Sequence, residues 1–198
     1  MEGIFSTILL PFTIFILMNP NPIMCLNVRA IPTPNDNKEE KNSTNTLIEK
    51  ACNNAKYKEL CMETLKSHPG SETADLKSLA FMALNKTKTY GNKVSDIINS
   101  MIENGNSMGP GIEQALSECD DQYDDANVQT DNSLVAFFAN AFKDVNTFIT
   151  TAIKNAETCE DYVKKGNATK VLGDKNKVFA QYCTNALAVV HVLAQTKN

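Results

Sequence analysis

Residues 76–101 read LKSLAFMALNKTKTYGNKVSDIINSM. Apolar or bulky side chains recur at Leu76, Leu79, Ala80, Ala83, Thr87, Tyr90, Val94, Ile97, Ile98 and Met101. Steps of three and four sustained over about seven turns put these positions on one stripe of an α-helix, the seam that a bundle helix buries. Thr73 stands where it can cap this helix, and Gly91 marks a candidate bend inside it. The stretch from Asn104 to Gly111, NGNSMGPG, ends it.

The same period continues on both sides. A second long helix carries Ile112, Leu116, Cys119, Tyr123 and Ala126. Asp131-Asn132-Ser133 reads as the break before a third, with Leu134, Phe137, Phe138, Ala141, Phe142, Val145, Phe148, Ile149, Ala152, Ala156, Cys159 and Val163. Gly166 closes that helix, and 167–176 reads as a loop. The last helix carries Val178, Phe179, Tyr182, Cys183, Ala186, Leu187, Val190 and Leu193. Upstream, Thr46 followed by Glu49 is a capping-box pattern for a short helix over 46–54. A second short helix over 56–67 stops at His68-Pro69-Gly70. No segment alternates as a strand would. The spacing predicts an all-α fold: an up-down-up-down four-helix bundle preceded by an N-terminal helical hairpin, over residues 44–195.

The first 30 residues read as a signal peptide. Ile4 to Met18 is almost wholly apolar but too short to span a bilayer comfortably, which takes about 20 apolar residues. Cleavage after Cys25 leaves Ile23 and Cys25 at the recognition positions, and cleavage after Ala30 uses Val28 and Ala30, the better small-residue pair but farther from the apolar run; Glu2 replaces the usual basic start. The polar, Pro-containing segment 31–43 reads as a flexible leader. Sequons at Asn42, Asn85 and Asn167 are consistent with export.

The 198 residues carry a formal charge of −4, which offers no clustered basic footprint for nucleic acid. Cysteines occupy positions 25, 52, 61, 119, 159 and 183, and either cleavage site removes Cys25. Four of the remaining five would pair in an oxidising compartment, and spacing alone does not choose among the connectivities. A local staple between Cys52 and Cys61 is geometrically easy, Cys119 and Cys159 both face inward on the register above, and Cys183 behaves as a small buried hydrophobe.

No nucleophile stands beside a base. His68 lies in a turn and His191 near the end of the last helix, both read as surface residues. Asp120, Asp121, Asp124 and Asp125, with Glu118 and Asp131, form an acidic stretch without the Gly-punctuated loop of a calcium site, so a solvated surface is expected and no metal. The phenylalanines at 137, 138, 142 and 148 read as core, with an exposed remnant as a binding patch the alternative.

These residues resemble the plant invertase and pectin methylesterase inhibitor family. The matching pieces are Ile48 with Cys52, Tyr57 with Cys61, Ala74-Asp75-Leu76 with Leu79-Ala80, and Leu116, Cys119, Tyr123 and Ala126 at their spacing. Val145 with Thr147, Thr151-Ala152 and Thr158-Cys159-Glu160-Asp161 complete them. The resemblance implies a four-helix bundle with an N-terminal hairpin and bridges Cys52–Cys61 and Cys119–Cys159, leaving Cys183 free. It implies a secreted inhibitor with no cofactor, in the cell wall with the vacuole as the alternative, that covers the active-site cleft of a cell-wall or vacuolar carbohydrate enzyme in a stoichiometric complex.

The sequence departs from the family pattern in carrying Phe148 where a Trp is frequent, and it lacks a Pro-Lys-Phe motif after Cys159. The Cys183-Thr184-Asn185-Ala186-Leu187 segment is similar to the pectin methylesterase branch, which makes pectin methylesterase the leading target and invertase the alternative. A non-inhibitory extracellular binding or storage bundle is the reading from another class. The start of the first long helix (Thr73, Asp75, Lys77) and the acidic stretch (Asp120, Asp124) are the candidate contacts. Many such esterases are basic, so an acidic inhibitor gains encounter rate.

Overall fold

The computed structural model describes residues 46–104 and 108–196. The signal peptide at 1–30, the leader at 31–43 and the sequon at Asn42 lie outside the described residues. In chain order the helices are α1 (46–51), α2 (Lys58–Lys66), α3 (Leu76–Asn104), α4 (Pro110–Phe138), α5 (Phe142–Lys165), a single turn α6 (Thr169–Leu172) and α7 (Lys175–Gln195). A 3-10 turn, Ser71–Thr73, precedes α3. Among the described residues no strand occurs.

Helices α3, α4, α5 and α7 form the bundle, each packed against its chain neighbours, with α7 closing against α3. Cross-helix contacts fix the directions. Phe81 meets Phe138, Lys88 pairs with Asp131, and a Cβ on Gly91 would touch Asn127, so α3 and α4 run antiparallel. Gly111 against Gly166, Cys119 bridged to Cys159, and Phe137 beside Phe142 do the same for α4 and α5. The topology is therefore up-down-up-down, as the short connections require.

The core follows the 3–4 seams. Leu79, Ala80, Ala83, Thr87, Val94 and Ile98 of α3 are buried, and Leu76, Tyr90, Ile97 and Met101 pack partly buried at its margin. Gly91 does not bend α3, which runs unbroken through it. The glycine is there for closeness: a Cβ would lie 2.6 Å from Asn127 Oδ1 on α4 and 2.9 Å from Phe179 Cε2 on α7.

Two boundaries differ from the sequence expectation. The second long helix does not stop at Asp131-Asn132-Ser133; α4 runs on to Phe138, and the chain reverses at Asn140, whose φ of 57° makes the turn. Asn takes this left-handed conformation more readily than most residues. The polar residues that looked like a breaker are satisfied within the helix: Ser133 Oγ donates to the Thr130 carbonyl at 2.7 Å and Thr130 Oγ1 to that of Asn127 at 2.9 Å, while Asp131 pairs with Lys88. The Phe-rich helix is thereby divided, with Phe137 and Phe138 ending α4 and Phe142 and Phe148 on α5. The first helix ends at 51, short of the expected 54, because the chain must turn back over 52–57 to bring Cys52 to Cys61. The expected loop 167–176 contains α6, and α7 begins at Lys175.

Disulfides join Cys52 to Cys61 and Cys119 to Cys159, and Cys183 is a buried free thiol whose burial pushes its ionisation far up. Loop-closure entropy assigns the two bridges about 2.7 and about 3.9 kcal/mol. The hairpin is held to α7 by Asn185, which is 5% exposed. Its Nδ2 donates to the Tyr57 carbonyl at 2.9 Å, and its Oδ1 accepts from the Tyr57 N–H at 3.2 Å. A second polar clamp crosses the bundle, where the buried Tyr123 hydroxyl of α4 donates to Asn176 Oδ1 of α7 at 2.9 Å. Asn176 Nδ2 in turn donates to Glu160 of α5 at 3.0 Å. Buried polar groups satisfied in this way cost little and fix which helices neighbour which.

Candidate functional site

The solvent face of α4 and the adjacent edge of α3 carry the candidate contact residues. On α4 the buried positions Leu116, Cys119, Tyr123, Ala126, Thr130, Ser133 and Phe137 keep a strict 3–4 step to the last turn. Ala115 and Ala136 are buried beside that stripe, and the opposite side of the helix faces outward. Its N-terminal half presents Asp121, Asp124 and Asp125, and its C-terminal half presents Val128, Val135 and Phe138, which are 54%, 71% and 61% exposed. The Phe138 ring stands edge-on to the buried Phe137 at 5.8 Å and tilted against Phe81 of α3 at 5.5 Å. Three large apolar side chains left in water on one helix face form a patch that globular packing does not explain.

The acidic half is coupled to α3. With its amide nitrogen turned toward α4, Asn99 donates to Asp120 Oδ1 at 2.7 Å. Partial burial, and then the charges of Asp124 and Asp121, hold the Asp120 carboxyl above its ordinary range. Farther along, Lys88 of α3 neutralises Asp131. Among the described residues no three His, Cys, Asp or Glu side chains converge as a metal site would require.

At the start of α3, Thr73 is not the cap. It closes the 3-10 turn, Ala74 is extended, and Asp75 takes the role, its Oδ1 accepting the Ser78 N–H at 2.7 Å. The side-chain and then the backbone hydrogen bond from Ser78 draw the Asp75 carboxyl below its ordinary range. Thr73, Asp75 and Lys77 are all exposed. They do not meet Asp120 and Asp124. Asn99 is level with Asp120 and lies 22 residues beyond Lys77, about 33 Å along the axis at the helical rise. The two expected contact groups mark opposite ends of one face, and the apolar patch lies toward the Lys77 end, beside Phe81.

Of the described sequons, Asn85 is half-buried on α3 and its Thr87 is wholly buried, the hydroxyl donating to the Ala83 carbonyl at 3.1 Å. Asn167 is exposed at the turn after α5, with φ of 54°. His68 sits in the turn after α2, and His191 is exposed on α7 beside Gln195. The sequence does not single out Val128 or Val135, and Phe138, expected in the core with an exposed remnant as the alternative, is on the surface. The unbroken 3–4 step through Thr130 and Ser133 was the available signal, masked because two hydroxyl residues occupy seam positions.

A family model described as "Plant invertase/pectin methylesterase inhibitor" matches residues 46–189. A putative invertase inhibitor from Platanus acerifolia is 25% identical over 136 residues, covering 68% of this chain and 75% of the relative. Pectinesterase inhibitor 10 from Arabidopsis thaliana is 26% identical over 173 residues, covering 79% of this chain and 54% of the relative. The crystal structure of a mutant pectin methylesterase inhibitor from Arabidopsis superposes with a TM-score of 0.63 at 20% identity, over 72% of this chain and 95% of that one, and it shares the fold. With the family model spanning both disulfides, the first three bundle helices and most of the fourth, the chain belongs to the plant invertase/pectin methylesterase inhibitor family.

Proposed function

We propose that the chain is a secreted inhibitor of pectin methylesterase that covers the enzyme's substrate cleft in a stoichiometric complex. The observation that carries this reading is the solvent face of α4, with its acidic half and its exposed Val128, Val135 and Phe138. Apolar anchors supply most of the energy of such interfaces, while a charged surround supplies encounter rate against a basic partner. A rod cross-linked between α4 and α5 presents that face without ordering cost on binding. Asp75 and Lys77 border the same face at its far end. The relatives named pectinesterase inhibitors support this target, and those named invertase or fructosidase inhibitors support the alternative. Export to the cell wall is supported by the apolar start of the sequence, the sequons and two disulfides, which persist in oxidising compartments.

Titrating purified mature protein into a pectin methylesterase and into an acid invertase tests the proposal. The expected result is loss of esterase activity at one equivalent with sucrose hydrolysis untouched. Loss of invertase activity alone establishes the second reading, which the Platanus relatives favour. Full activity of both enzymes overturns the inhibitor reading and leaves a non-inhibitory bundle.

A further inference from the structure

The apolar part of the α4 face has a neighbour on α3 that carries a modification signal. Val128, Asp131, Val135 and Phe138 follow one another in steps of three and four, so they form one outward stripe. That stripe runs beside α3, because Asp131 pairs with Lys88 and the Phe138 ring stands 5.5 Å from that of Phe81. Asn85 lies four residues after Phe81 and three before Lys88, hence on the same edge of α3 and level with Leu134 and Val135. Helical side chains lean toward the N-terminus of their helix, which tilts Asn85 toward Phe81 and the Phe138 packed on it.

Asn85-Lys86-Thr87 is an acceptor sequon for an N-linked glycan, and it sits inside a helix, not in a surface loop. Thr87, which the transferring enzyme must read, is 0% exposed, its hydroxyl donating to the Ala83 carbonyl at 3.1 Å. Transfer therefore belongs to the chain before α3 packs, whereas Asn167 and Thr169 stay exposed after folding. Asn85 itself is only half-buried, so a sugar on its Nδ2 projects to the surface once the bundle forms.

We propose that Asn85 is glycosylated on the nascent chain and that folding then lays its first sugars over Val135 and Phe138, masking the apolar part of the α4 face. In the transfer, Asn85 Nδ2 bonds to C1 of the first N-acetylglucosamine of a lipid-diphosphate-linked oligosaccharide. The bond from that C1 to the phosphate oxygen breaks, and the lipid diphosphate and the amide proton leave. The C–H faces of the sugars cover apolar surface otherwise left in water. Chains that bury Thr87 before transfer keep the face open, so one sequence yields two forms of unequal inhibitory strength. The site rests on the export proposed above, and its effect on inhibition rests on the α4 face.

The full-length chain carrying Asn42→Gln and Asn167→Gln, with Asn85 as its remaining sequon, is secreted from plant cells and compared with the same chain carrying Asn85→Gln as well. Peptide mass mapping should find N-acetylglucosamine on Asn85; an unmodified Asn85 throughout the secreted protein overturns the inference. The lectin-retained, glycosylated form should bind a hydrophobic dye less than the Asn85→Gln form, and adding Phe138→Ser to both should shrink the difference. Equal dye binding, or a difference that Phe138→Ser leaves intact, overturns the mask. Against pectin methylesterase the glycosylated form should be weaker by about tenfold or more, the loss of one anchor, and equal inhibition by the two forms also overturns the mask. If neither form inhibits, the inhibitor reading falls and the dye comparison decides the mask by itself. Matching circular dichroism spectra verify that both forms are folded.

Discussion

Replacing Val135 and Phe138 by Ser should cripple inhibition in a protein that still folds. Fully burying a side chain of this size yields about 1.5–3 kcal/mol. Phe138 is 61% exposed and Val135 71%, so the part of each that an enzyme could still cover corresponds to about 1–2 kcal/mol. Both lost together cost about 2–4 kcal/mol of binding, a rise of roughly 30-fold to 1,000-fold in the inhibition constant at about 1.4 kcal/mol per tenfold. The folded state loses the ring contacts of Phe138 to Phe81 and Phe137, about 0.5–1.5 kcal/mol apiece, and little at Val135, which is mostly in water. Urea unfolding should therefore show a loss of about 1–3 kcal/mol in a variant that remains folded without denaturant. The assay is residual pectin methylesterase activity across an inhibitor titration, with urea unfolding in parallel. An inhibition constant within threefold of the parent, in a folded variant, would refute the assignment of this face.

Gly91→Ala, in an exposed helix interior a stabilising change of about 1 kcal/mol, should here destabilise by about 1–2 kcal/mol. Asn127 Oδ1 can swing away from the new methyl, but the Phe179 ring is fully buried against Tyr123 and cannot; a higher urea midpoint would show that α3, α4 and α7 are not packed as described. Asp75 and Asp120 should titrate with opposite signs in stability measurements from pH 7 to pH 2. The depressed Asp75 carboxyl stabilises above its unfolded value of 3.8 and loses that contribution as pH falls through its lower folded value, so the deficit of Asp75→Asn at pH 7 should vanish in acid. The raised Asp120 carboxyl favours the folded state below 3.8 and loses that advantage as pH rises through its folded value, so Asp120→Asn should match or exceed the parent at pH 7 and converge with it in acid.

Much of this fold can be read from the chain because helical periodicity is local. The stripe from Leu76 to Met101 needs no knowledge of what it packs against, and the Pro-Gly stop after His68 needs only its own dihedral angles; Gly70 indeed adopts φ of 82°. Cysteine spacing left the pairings open, and the resemblance to a known family supplied them. The end of α4 was not readable locally. Thr130, Asp131 and Ser133 favour a turn when solvent competes for their backbone, but their groups find partners in their own helix and on Lys88 of α3, which only the bundle supplies. Moving that boundary from 131 to 139 carried Phe138 from core to surface and created the candidate docking face. Gly91 likewise reads as a hinge in sequence and as a point of close approach in space.

The helices, their buried stripes and the preceding hairpin are written in the chain, because side-chain period and turn dihedrals depend on neighbours a few residues away. Packing between helices sets where α4 stops, which apolar residues stay wet, and that Asp75 and Asp120 stand at opposite ends of one face. Those outcomes depend on the antiparallel register of α3 against α4, a relation between residues more than forty positions apart that no local period encodes.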